Sequence, residues 1–373
     1  MKYREIENTE QLIELLTRQQ FIESYAFQHI DFSQADHILS NHTFSDCIFL
    51  GCTLPERIRH SIKDNCIEFP MIEMPFNPFL NKLYTKETLY HGYKIGQPET
   101  YNNTPDKIIY EHFIRNEKEA IDIKETLTRR LHDHAVTDAM FDFLSGYEER
   151  KLVAIMGGHS LLRNDSNYLE ITKISKKLTE NGYLMISGGG PGAMEATHVG
   201  AWFSGKKTSE LHHALEILTQ APDYRHPLWL DTAFEVLSKF PHSNYNSLGI
   251  PTWLYGHEPP TPFATHIAKY FANSVREEGL LAIAKGGVIY APGSAGTIQE
   301  IFQDATQNHY LSFGYASPMV FFNRNFWAYE APIYPLLKHL SDTKKYNNLL
   351  LSSHDSCDGV VAEIMAFTNK VQQ

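Results

Sequence analysis

From Lys151 onward, continuous apolar runs of four or five residues alternate with longer stretches whose apolar residues recur at helical spacing. "LVAIM" (152–156), "YLMIS" (183–187), "GVIYA" (287–291), "PMVFFN" (318–323) and "NNLLLSS" (347–353) read as strands, the apolar ones buried on both faces. Helices are expected in "YLEITKISKKLTENG" (168–182), "PGAMEATHVGAWF" (191–203), near Leu211–Leu218 and Leu230–Phe240, in "FATHIAKYFANSVREEG" (263–279), around Tyr334–Leu340 and near Val360–Phe367. Strand–helix alternation of this kind predicts a parallel sheet with helices on both faces, which takes ligands at the carboxyl ends of its strands.

The first 150 residues follow other patterns. Phe27 and Phe32 are five residues apart, as are Phe44, Phe49 and Leu54. That period resembles pentapeptide repeats, but two or three units are too few to bury a solenoid core, so short strands in an accessory domain are expected. A connector punctuated by Pro70, Pro75 and Pro78 follows, and residues 105–145 read as helical, with His132 and His134 as surface residues and not metal ligands. The predicted fold is α/β: a Rossmann-like doubly wound parallel sheet over 150–373, a smaller irregular, β-containing N-terminal domain over 1–95, and a helical connector over 96–149.

Composition narrows the function. The chain has 373 residues, 42% apolar and 21% charged, with a formal charge of −11. The charge argues against a nucleic-acid or anionic-membrane partner, both of which need a basic face. No apolar run reaches the length of a membrane span, and the start lacks the apolar core of a signal peptide. Cys47, Cys52, Cys66 and Cys357 form no C-x-x-C pair, which fits idle or buried thiols in a cytoplasmic protein.

Two glycine-rich turns carry the candidate chemistry. "SGGGPGAMEA" (187–196) and "APGSAGTIQE" (291–300) each follow a strand and open a helix. Such a junction aims unpaired N–H groups and the positive end of the helix dipole at one point, which suits a phosphate. A capped tight turn accounts equally well for either alone, and the pair favours a phosphate ester. Neither turn has the P-loop form. Gly188-x-Gly190-x-x-Ala193 matches a dinucleotide fingerprint loosely, but it follows the second strand and lacks the downstream acidic residue.

The two turns also resemble the paired signatures, G-G-G-x-x-G-x-M and P-G-G-x-G-T-x-x-E, of the Lonely Guy (LOG) family, and "GGHS" (157–160) is closest to its bacterial nucleotide 5'-monophosphate nucleosidases. The resemblance spans about 150–350. It implies hydrolysis of a nucleoside 5'-monophosphate to free base and ribose 5-phosphate, with no metal or redox cofactor and a homo-oligomer of two or more subunits. It also implies Glu300 as catalytic carboxylate beside an oxocarbenium-like sugar, with Arg276 as its partner. Gly293, Ser294, Ala295, Gly296 and Thr297 would hold the phosphate. Gly158, His159, Ser160, Gly189, Gly190, Gly192, Met194, Glu195 and Asn273 would line the nucleotide. On spacing alone, Lys269, Asn273 and Arg276 share a helix face that solvation explains better. Two positions depart from the signature: Ser294 replaces a glycine, and Gln299 a residue that is commonly acidic. Both leave room for a second reading, a non-catalytic nucleotide sensor using the same pocket.

Overall fold

A computed structural model describes residues 3–39, 41–119 and 121–369. By their contacts these form two compact units, one of 1–83 with 112–143 and one of 84–111 with 144–373.

The first unit begins with β1 (Arg4–Ile6), α1 (Thr9–Arg18), β2 (Phe21–Glu23) and β3 (Tyr25–Gln28). It continues through β4 (Thr43–Ser45), β5 (Ile48–Leu50), α2 (Glu56–Arg59) and β6 (Ile67–Phe69). Its strands are as short as expected, but the five-residue period is realised. β1, β3, β5 and β6 form one parallel ladder, and β2 pairs with β4 in a second. Phe27 lies opposite Phe49, their rings stacked 5.1 Å apart, and Phe32 and Phe44 pack edge-on against Phe27. All four rings are fully buried, so each coil places its apolar residues on the same interior column.

Helix α3 (Lys86–Leu89) lies in the second unit, and α4 (Pro105–Arg115) runs across the boundary between the two. Helix α5 (Ile123–Leu144) returns to the first unit. The single helical run expected over 105–145 is therefore two helices, parted where Glu117 takes φ of 59°. His132 is not a surface residue. It is fully buried on α5, its Nδ1 3.1 Å from Asp133 and its ring edge-on to Phe76.

The second unit carries the main sheet. In chain order its elements are β7 (Leu152–Met156), α6 (Ser166–Glu180), β8 (Leu184–Ser187), α7 (Ala193–Trp202), α8 (Thr208–Leu218), α9 (Trp229–Lys239), β9 (Ser247–Gly249) and β10 (His266–Ile267). They continue with α10 (Asn273–Ile283), β11 (Gly287–Tyr290), α11 (Ala295–Tyr310), β12 (Pro318–Phe322), α12 (Ile333–Asp342), β13 (Leu350–His354) and α13 (Cys357–Asn369). The seven strands run parallel in the order β10-β9-β8-β7-β11-β12-β13, which is the expected Rossmann-like fold. The chain lays strands outward on one side of β7, then returns to lay β11 on the other. The switch therefore falls between β7 and β11, where open sheets of this type leave a crevice. β7, β8, β11 and β12 are buried throughout, so they lack polar alternation.

The helix expected over 263–279 is only its last part. Residues 266–270 bond to the β9 edge instead: Ala268 donates to Gly249 and Tyr270 to Pro251. Lys269 is consequently not on an exposed face with Asn273 and Arg276. It is fully buried, bonded to Asp106 and 4.9 Å from the Trp253 ring centre. Among the described residues no helix is long and apolar enough to cross a membrane.

Candidate functional site

A cleft of about 530 Å³ opens at the carboxyl ends of β7, β8 and β11, lined by both glycine-rich turns, the start of α10 and the segment 251–258. Small residues let its walls meet. A Cβ at Gly157 would lie 2.7 Å from that of Ala193, and one at Gly293 would lie 3.1 Å from the nitrogen of Gly158. Gly158 donates to Pro292 across the same gap at 3.0 Å. Gly192, with φ of 68°, comes so close to the first turn that a Cβ would sit 2.4 Å from the carbonyl oxygen of Gly158.

The two turns are not equivalent. At the start of α7, Ala193 donates its N–H to the Gly158 carbonyl, so this turn spends a donor on the protein. At α11, Ser294 makes no side-chain cap, and Ser294, Ala295, Gly296 and Thr297 all line the cleft. The first N–H groups of a helix have no partner within it; α7 also lacks a side-chain cap but has given up that of Ala193, so α11 keeps the fuller set of donors for an anion.

Of the residues read from the sequence, the cleft brings together Gly158, His159, Gly190, Met194, Arg276, Ser294, Ala295, Gly296, Thr297 and Glu300. Gly293 lies just behind its wall, against Thr297. Ser160 is exposed beside Gly158 just outside the lining, Gly189 and Gly192 are buried behind it, and Asn273 supports Arg276 from outside it. Glu195 is also outside the cleft. It is fully buried and held bidentately by Arg163, with the Tyr168 hydroxyl donating to it.

Arg276 is the cation of the cleft. Its Nε donates to Asn273 Oδ1 at 2.9 Å and its Nη2 to Glu277 Oε1 at 3.2 Å. Its Nη1, beside Gly188, has no partner among the described residues. Glu277 also accepts from Asn273 Nδ2 and from Gln299 Nε2, at 2.6 and 2.8 Å. This explains Gln299: a carboxylate there would face Glu277, whereas the amide donates to it. Glu300 is half-buried, and desolvation raises its pKa to about 7. Arg276 opposes that rise and Glu277 adds to it.

Sequence reasoning missed Thr252, Tyr255, His257 and Glu258, which also line the cleft. The Pro and aromatic content of their segment, 247–263, is its one local signal of a wall, and that content fits a core or a subunit interface as well. Beneath the second turn, His198 contacts both Ser187 Oγ and Ser247 Oγ at 2.8 Å, while Gly189 donates to the same Ser187 oxygen. Burial lowers His198 to about 3, so it remains neutral and acts as a strut.

No family model matches the chain, and no curated protein matches it. Solved structures that match part of the chain include the molybdenum cofactor binding protein from the phototrophic bacterium Rippkaea orientalis. It is 13% identical with a TM-score of 0.37, over 58% of this chain and 96% of that one. They also include the molybdenum cofactor carrier protein from Chlamydomonas reinhardtii. In one structure it is 11% identical with a TM-score of 0.35, over 58% of this chain and 98% of that one. These findings correct the reading drawn from the two signatures. No family model and no curated protein supports the LOG assignment. With that assignment go the hydrolysis of an N-glycosidic bond, the hydrolase class, the nucleoside 5'-monophosphate partner with its sensor variant, and the homo-oligomer inferred from the family.

Proposed function

We propose that the chain binds a phosphorylated small molecule in this cleft, with the phosphate on the N-terminus of α11 and the remainder between the segments 157–159 and 251–258. The observation that carries this reading is the convergence, at one switch point, of an uncapped helix start and an unpartnered guanidinium nitrogen on Arg276. Gly293, Ser294, Ala295, Gly296 and Thr297 form the phosphate cradle in this reading. Gly158, His159, Gly190 and Met194 border the rest of the ligand, and Glu300 meets the phosphate as a neutral acid. The volume is that of a small-molecule site and exceeds what phosphate alone fills. The binding role falls to residues 150–373, with 1–95 as accessory domain and 96–149 as connector. Residence in the cytoplasm belongs to the same proposal, supported by the four free cysteines.

The test is calorimetry with inorganic phosphate, simple phosphate monoesters and molybdenum cofactor, the group for which the solved neighbours are named. Arg276→Ala removes a charge-assisted hydrogen bond, each worth about 1.5–3 kcal/mol, so affinity for every phosphorylated probe falls about tenfold to a hundredfold. The pH dependence has a definite sign. Glu300 titrates near 7, and an incoming phosphate favours its protonated form, so binding takes up a proton and weakens as pH rises above 7. In Glu300→Gln that dependence flattens. Loss of binding only for dephosphorylated probes supports the proposal; equal binding with and without the phosphate contradicts it.

A further inference from the structure

Cys47 and Cys66 flank the same backbone pairing on neighbouring coils of the first unit. β5 and β6 come into parallel register at Ile48 and Ile67, and the Ile67 N–H donates to the Cys47 carbonyl at 2.9 Å. The two cysteines stand one residue before that point. The Cys66 sulfur lies against the Cys47 backbone, accepting from its N–H at 3.4 Å. Both thiols reach back to the preceding coil in the same way. Cys47 Sγ is 3.6 Å from the Ile22 carbonyl oxygen and Cys66 Sγ is 3.5 Å from that of Phe44, and Ile22 and Phe44 are themselves paired. The two cysteines therefore occupy one column, a strand spacing apart. That spacing, about 4.8 Å, falls inside the Cα separation of about 4.4–6.8 Å that a disulfide spans. Cys52, five residues after Cys47, turns instead to the carbonyls of Phe27 and Leu50.

We infer that Cys47 and Cys66 form a redox pair that a hydroperoxide closes to a disulfide, stapling β6, the last strand of its ladder, to β5. Cys66 is half-buried and Cys47 buried, so the oxidant meets Cys66 first. The Cys66 thiolate attacks the peroxide, the O–O bond breaks, and a sulfenic acid forms as water or an alcohol leaves. The Cys47 sulfur then attacks the Cys66 sulfur, the S–S bond forms, and the hydroxyl leaves with the Cys47 proton as water. With hydrogen peroxide, two thiols and one peroxide become one disulfide and two waters, and two electrons pass from sulfur to oxygen. Burial pushes the Cys47 thiol up to about 11, so the second step is the slow one and depends on the neighbour already being in place. The staple falls where the ladder is weakest. β6 pairs on one side only, through three residues, and a cross-link there removes freedom from the unfolded chain.

The experiment treats the full chain with hydrogen peroxide, blocks the remaining thiols and maps the peptides without reduction. Free thiols should fall from four to two, with a single linked pair, Cys47 to Cys66, that dithiothreitol reopens. The same treatment in urea should scatter links over all four cysteines, because only the fold holds this pair together. In Cys47→Ser the reaction should stop at a sulfenic acid on Cys66, captured by dimedone, with no link formed. The closed form of the wild type should melt several degrees above the reduced form. Native protein in which Cys47 and Cys66 stay unlinked under peroxide overturns the inference, whether Cys66 remains a thiol or is oxidised beyond the sulfenic acid. Native links that run to Cys52 or Cys357 as often as between this pair overturn it too, and an unmoved melting temperature removes the staple.

Discussion

Arg163→Ala should cost the fold about 3–5 kcal/mol, the penalty for leaving a buried charge without its partner. Arg163 is almost wholly enclosed, and its guanidinium does more than pair with Glu195. Its Nη1 also donates to Thr232 Oγ1 at 2.8 Å and to the carbonyls of Ala221 and Trp229 at 3.2 Å, and the group lies over the Trp229 ring. One side chain thus ties the start of α7, the end of the α8 turn and the start of α9 together. Removing it leaves the Glu195 carboxylate, at zero exposure, with only the Tyr168 hydroxyl as donor and takes a donor from three oxygens besides. Urea unfolding of the variant should show a midpoint well below wild type, and Glu195→Gln in the same background should recover part of the loss. A change below about 1 kcal/mol would show that the enclosure relaxes to admit water.

The second large effect is expected at Gly192. Its φ of 68° with ψ of −127° is a region that side chains avoid, and even a methyl group would meet the backbone oxygens of Gly158 and His159 at 2.4 and 2.6 Å. Strain of this sort costs about 1–3 kcal/mol before the clash is added. The clash pushes the turn after β7 into the cleft, so Gly192→Val should lose ligand binding as well as stability. Gly279→Ala is the control: nothing lies within 4 Å of its Cβ, and it sits inside α10. It should stabilise by about 0.5–1 kcal/mol and leave binding intact. A Gly192→Val protein that binds phosphorylated probes normally would mean the two turns do not need their close approach.

How much of this was readable from the chain depends on the range of the interaction. The parallel sheet was legible because strands buried on both faces are written as unbroken apolar runs, and the two turns because only small residues permit such junctions. The turn residues 294–297 follow from those local signals, whereas Arg276 was singled out only by the resemblance, its helix face reading as solvated on spacing alone. What failed was tertiary. Lys269 reads as a solvated helical position, yet its partner Asp106 lies 163 residues away, and nothing local announces the pairing. His132 reads as exposed because α5 has no clear apolar face. Glu258 reaches the cleft only because residues 266–270 pair with the β9 edge and bring the loop before them to the sheet's carboxyl end. The family reading failed for a related reason. Short glycine signatures encode a strand–turn–helix geometry and an anion seat, and neither fixes the rest of the ligand or a reaction.

The most direct test of a phosphate seat at the start of α11 is a nitrogen–proton correlation spectrum of labelled protein titrated with inorganic phosphate, then with a phosphate monoester. The account predicts saturable shifts concentrated in the amides of Ala295, Gly296 and Thr297 and in the Arg276 side chain, with those of Ala193 and Met194 moving less. Shifts centred on the α7 turn, or none at α11 at any concentration, would contradict it.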